Sequence, residues 1–90
     1  MTAKVWKQKV ASLGCVLCRH LDLGETPAIL HHVREGQGMS QRASDWLVVP
    51  LCPVHHADPK MGIHGAEFYQ RFRMDEMDLL ALTLEAIAHS

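Results

Sequence analysis

Leu51-Cys52-Pro53-Val54-His55-His56 sets a thiol and two imidazoles within five positions. It follows directly on the apolar run Leu47 to Pro50, which reads as a strand. Proline just after Cys52 suits the first position of a helix, where its missing N–H has no intrahelical partner to lose. Strand end, tight turn and helix start together make a knuckle able to hold a metal. Two more donor groups lie upstream, Cys15-Val16-Leu17-Cys18 and His31-His32, and His64 lies downstream. All three cysteines and five of the seven histidines thus fall into four short clusters, the distribution of metal ligands.

Ninety residues make one small domain, taken here as 1–90. A core of this size supplies only about 3–5 kcal/mol, so a staple is expected. Three cysteines cannot all pair as disulfides. Nothing resembles a secretory signal, because Lys4, Lys7 and Lys9 interrupt the first apolar segment. No run approaches the roughly 18–20 apolar residues of a membrane span. The economical expectation is a cytoplasmic protein whose reduced thiols bind metal. Structural zinc contributes an apparent 10–16 kcal/mol or so in small peptides, more than the core.

The net charge of −1 at first argues against nucleic acid. Its distribution argues the other way. Asp75, Glu76, Asp78 and Glu85 all lie in the last sixteen residues, and residues 1–73 hold nine Lys/Arg against six Asp/Glu, a net +3. That excess permits phosphate binding without demanding it.

Around the knuckle the chain divides into short elements. Residues 3–13 read as a helix with Trp6, Val10 and Leu13 on one face, and Gly14 stands where a left-handed cap belongs. The CxxC lies in a turn, and Cys18 to Gly24 reads as irregular. Pro27 opens a strand over 28–33. Residues 35–45 form a polar, glycine-bearing loop, and Trp46 to Leu51 supplies a second strand, antiparallel to the first. A helix from Pro53 ends near Asp58-Pro59. Ala66 to Arg73 reads as helix, and Asp75 caps a last one with Met77, Leu80, Leu84 and Ile87 along its packing face.

Cys15, Cys18, Cys52 and His55 supply the four ligands of a closed tetrahedral zinc site. CxxC alone also fits a redox pair or two core cysteines; the second pair of matching gap favours zinc. His55 and His56 compete for the fourth position, and the two-residue gap favours His55. His31, His32, His56 and His64 form a second constellation. Neighbouring strand residues face opposite ways, so His31 and His32 divide naturally into one metal ligand and one general base. Glycines on both sides of His64 let the backbone bring it close. Two or three imidazoles on a divalent ion leave positions open for water and substrate, the mark of a catalytic site. His20 and His89 read as surface residues.

These residues resemble a family. CxxC, a strand ending His-His, and a hydrophobic strand running into Leu-Cys-x-x-His-His are similar to HNH endonucleases of the ββα-metal class. The nearer likeness is to the recombination enhancement, RecA-dependent nuclease (Ref) family. It rests on Leu13-Gly14-Cys15-x-x-Cys18, Ile29-Leu30-His31-His32-Val33-Arg34, Gly36-Gln37-Gly38-Met39, Arg42-Ala43-Ser44, Pro50-Leu51-Cys52-Pro53-x-His55-His56 and Gly62-Ile63-His64-Gly65. The resemblance implies an α+β, zinc-stabilised, treble-clef-like domain with flanking helices. It implies a DNA endonuclease or nickase using Mg²⁺ or Mn²⁺ (zinc also being able to fill the site), with His32 as general base. His31, His56 and His64 would hold the catalytic ion, and products would carry 5′-phosphates. RecA filaments as partner and a phage or prophage recombination setting follow from the likeness alone.

Two departures stand out. No central asparagine is evident, Ser44 or Asp45 occupying its region, and His55 replaces a fourth cysteine. Arg34, Arg42 and Lys60 are candidate DNA phosphate contacts. The rival readings are a non-catalytic zinc module that binds DNA or protein, and a purely structural two-zinc domain.

Overall fold

The computed structural model describes residues 1–34 and 43–89. Among them the elements are α1 (Ala3–Ala11), α2 (Val16–His20), β1 (Ile29–His32), β2 (Val48–Leu51), α3 (Pro53–Ala57), α4 (Phe68–Phe72) and α5 (Glu76–Ala88). The result is a small α+β arrangement around one two-stranded sheet. β1 and β2 pair antiparallel, as expected, with Ile29 opposite Leu51, His31 opposite Val49 and His32 opposite Val48. All four residues of β2 are buried, because α1, α2, α3 and α5 all pack against that strand.

Most boundaries fall inside the expected ones. α1 stops at Ala11, yet its face is the expected one, with Val10 fully buried and Leu13 nearly so. Gly14 adopts φ +72°, and a Cβ there would stand 2.9 Å from the Thr26 carbonyl oxygen. A side chain would therefore meet both a left-handed backbone and a wall. The close approach lets the Cys15 N–H donate to that same carbonyl at 2.8 Å, which brings the first cysteine into the core.

Three expectations need correcting. Cys18 to Gly24 is not wholly irregular, because α2 runs through Cys18. Its N-cap is Cys15, whose sulfur accepts the Cys18 N–H at 3.4 Å, so the CxxC itself starts the helix. The second strand begins at Val48 rather than Trp46. The Trp46 carbonyl instead accepts the Trp6 indole N–H at 2.9 Å, which fastens α1 across the strand's entrance. On α5 the buried residues are Leu79, Leu80 and Thr83, while Met77 and Leu84 are 49% and 46% exposed. That helix is apolar on most sides, so periodicity could not single out its packing face.

The core joins Cys15, Val16, Leu17, Cys18, Val33, Val49, Leu51, Cys52, Phe68, Leu79 and Leu80. The thiols therefore sit inside the hydrophobic cluster, not beside it. The Gly36-Gln37-Gly38-Met39 motif, Arg42 and most of the polar loop lie outside the described residues. Among the described residues no helix is long and apolar enough to cross a membrane.

Candidate metal centres

Cys15 arrives at the N-cap of α2 and Cys18 in its first turn, while Cys52 caps α3 and His55 lies within it. All four are buried, and their donor atoms lie within 4.8 Å of one another. The His55 Nδ1 stands 3.5 Å from the sulfurs of Cys15 and Cys18 and 3.3 Å from that of Cys52. Cys18 and Cys52 sulfurs are 3.9 Å apart. A tetrahedral zinc with bonds of about 2.3 Å to sulfur and 2.0 Å to nitrogen spaces its ligands about 3.5–3.8 Å apart. The observed edges match. Proline at the first position of α3 ends the strand and starts the helix within one residue of Cys52, the knuckle read from sequence.

The electrostatics fit the same occupant. Burial pushes the Cys15 thiol up to about 11, so without a cation it stays protonated. A metal reverses that by stabilising the thiolate directly. Burial also lowers the His55 imidazole below its usual range, keeping it neutral and ready to ligate. The ring of Phe72 packs edge-on against it at 5.5 Å between centroids. The Cys₃His cluster can thus hold a metal such as zinc, and His55 rather than His56 is its fourth member.

His56 belongs to a second group. His31 on β1, His56 on α3 and His64 on the following turn present ring nitrogens within 4.8 Å of one another. Their ring centroids are 5.0–5.6 Å apart. Burial, then the neighbouring His31 and His64, lower the pKa of His56. Three imidazole nitrogens gathered around one space suit a divalent cation. Gly62 makes room for this: a Cβ there would lie 2.6 Å from the Asp58 carbonyl oxygen, so only glycine lets the turn fold back beneath His64. The Asp58 carboxylate holds the same turn through the N–H groups of Lys60 and Met61, both at 2.9 Å.

His32 stands apart from the three, as the alternation of a strand requires. His31 is 5% exposed, whereas the His32 side chain is 35% exposed and 2.9 Å from the Asp45 carboxylate. Arg34 lines a groove of about 600 Å³ together with His64, Phe68, Tyr69 and Glu76. Lys60 does not line that groove, and Arg42 lies outside the described residues.

A family model described as recombination enhancement, RecA-dependent nuclease matches residues 2–88. The chain belongs to that family. The resemblance to the recombination enhancement, RecA-dependent nuclease family is therefore borne out, and that family is described as one of nucleases. Neither curated proteins nor solved structures give a match to the chain.

Two carboxylates beside these histidines are not legible in the sequence as their partners. Asp45, one of two residues noted near the missing asparagine, meets the His32 ring; Ser44 instead accepts the Trp46 N–H at 3.1 Å. Glu76 reaches His31 from 45 residues away. No local spacing announces such a pairing, and its segment reads in sequence only as the acidic, capped start of a helix.

Proposed function

We propose that this chain is a metal-dependent DNA endonuclease or nickase of the ββα-metal (HNH) type, folded as one domain over 1–90. The observation that supports it best is the meeting of His31, His56 and His64 beside a separate Cys₃His cluster. A structural ion alone needs the Cys₃His cluster only. Three further imidazoles leave coordination positions for water and phosphate. The order β1, β2, α3, with donors on the first strand and the helix, supports the same class.

His31, His56 and His64 would hold a divalent ion, Mg²⁺ or Mn²⁺ (zinc also being able to fill the site), which would supply positive charge where a phosphodiester oxygen gains negative charge. His32 takes a proton from the attacking water, whose oxygen bonds to phosphorus as the bond to the 3′ oxygen breaks. The departing 3′ oxygen takes a proton from solvent water, so the products are a 3′-hydroxyl and a 5′-phosphate. Asp45 orients His32 for this transfer. Arg34, at the rim of the groove, contacts a neighbouring phosphate. Cys15, Cys18, Cys52 and His55 would hold a zinc that ties α2 to α3. DNA is the substrate, RecA filaments on DNA are the partner, and a reducing compartment such as the cytoplasm keeps the thiols available.

The test is nicking of supercoiled and single-stranded DNA with Mg²⁺ or Mn²⁺, with and without RecA filaments, wild type beside His32→Ala. Loss of metal-dependent cleavage by about 10²–10⁴-fold, the usual contribution of a general base, is expected with zinc content unchanged. Equal cleavage by both proteins rejects His32 as the base. DNA binding without any cleavage by the wild type rejects the nuclease and leaves a zinc-bearing binding module.

A further inference from the structure

Glu76 is the first residue of α5, directly after the cap Asp75. Its carboxylate reaches back to the end of β1 and takes hold there twice. Oε2 lies 2.5 Å from His31 Nε2, and both oxygens accept the backbone N–H of Arg34, at 3.4 and 3.3 Å. The side chains of His31 and Glu76 are only 5% and 20% exposed, so water competes weakly for this contact. The hold on Arg34 is to main chain and does not depend on the imidazole. Glu76 is therefore held beside His31 by contacts with main chain as well as with the ring. The carboxylate stands outside the set of donors that lie within 4.8 Å of one another, which comprises His31, His56 and His64.

The geometry points to Glu76 as the positioning residue of the three-histidine centre, the carboxylate of a carboxylate–histidine–metal relay. By accepting the N–H at Nε2 it leaves Nδ1 as the nitrogen of His31 with a free lone pair. Ring orientation and tautomer are then set before any cation arrives. A carboxylate also makes the imidazole a stronger donor than a carbonyl partner would. The ligand class is a divalent cation that accepts imidazole nitrogen. This inference rests on reading the three histidines as a metal centre, and it adds α5 to the elements that build it. The bland alternative is an ion pair that only docks α5 on the sheet. Such a pair would affect stability and leave metal affinity alone.

The test uses the full chain carrying one zinc per molecule, as wild type, Glu76→Gln and Glu76→Ala. Zinc content and melting curves first establish the temperature at which all three are folded. Mn²⁺ titration by calorimetry then reads the second centre, and long-range ¹⁵N–¹H spectra without Mn²⁺ read the His31 tautomer. Binding should weaken about 10–100-fold in Glu76→Ala. Glu76→Gln, whose amide oxygen can still accept the N–H, should fall between that and wild type. Wild-type His31 should carry its proton on Nε2, and Glu76→Ala should show a mixture. Unchanged Mn²⁺ affinity in a folded Glu76→Ala overturns the role of Glu76 while leaving the centre standing. A wild-type proton on Nδ1 also overturns it. Absence of Mn²⁺ binding in the wild type overturns the centre, and this inference with it.

Discussion

His31 and His32 are adjacent in the chain, yet they face different partners. The pleat of β1 sends one toward His56, His64 and Glu76 and the other toward Asp45. Lys7 also approaches Asp45, at 3.7 Å, so α1 helps to hold the acceptor of His32. Replacing Asp45 by alanine should slow cleavage about 10–100-fold, part of what a general base contributes, through kcat rather than KM for DNA. Stability should change little, since exposed ion pairs contribute about 0–1 kcal/mol. Steady-state nicking kinetics beside a melting curve test both halves, and full activity in the variant would show that His32 needs no such partner. Gly14 makes a second case at this scale. Gly14→Ala puts a methyl group 2.9 Å from the Thr26 oxygen at φ +72°. The left-handed backbone alone costs about 1–2 kcal/mol, so the urea midpoint should drop by at least that equivalent. An unchanged midpoint would mean that the loop at Thr26 yields freely.

At the scale of elements, α5 shows both what pattern reveals and what it hides. Asp75 was legible as its cap. The structure adds the reciprocal half, with the Asp78 N–H donating to Asp75 and the Asp75 N–H donating to Asp78, both at 3.0 Å. Removing the Asp75 side chain should cost about 0.5–2 kcal/mol. Because Glu76 follows directly, fraying of that turn should also weaken Mn²⁺ binding in Asp75→Ala; thermal melts with calorimetry would show the two changes together or refute the link. The packing face of α5 was not legible. Leucines or methionine occur at 77, 79, 80, 82 and 84, and which of them turn inward depends on where β2 and α2 lie. The short α2 is hidden in the sequence for the opposite reason. Its five residues carry too little periodicity to register, and its start is a sulfur cap rather than a hydroxyl or carboxylate.

For the whole molecule, the staple and the core are one object. Cys15, Cys18 and Cys52 belong to the same buried cluster as Leu17, Leu51 and Leu79. Stripping zinc with excess chelator should therefore unfold the chain rather than loosen one end. An apparent 10–16 kcal/mol or so from zinc exceeds the roughly 3–5 kcal/mol expected of so small a core. Circular dichroism during chelation and zinc re-addition would show a reversible loss of helix, whereas retained helix after chelation would mean that the core suffices. The sequence by itself determined the two antiparallel strands, three cysteines with His55 favoured over His56, and a second group drawn from His31, His32, His56 and His64, because ligand chemistry and strand alternation act over a few residues. The tertiary structure gathered His55 with the thiols and left His32 outside the second group. Only the tertiary structure decided that Asp45 meets His32 and that Glu76 meets His31. Those pairings join distant segments through the packing of helices on β2, and no local pattern encodes a distance across the core.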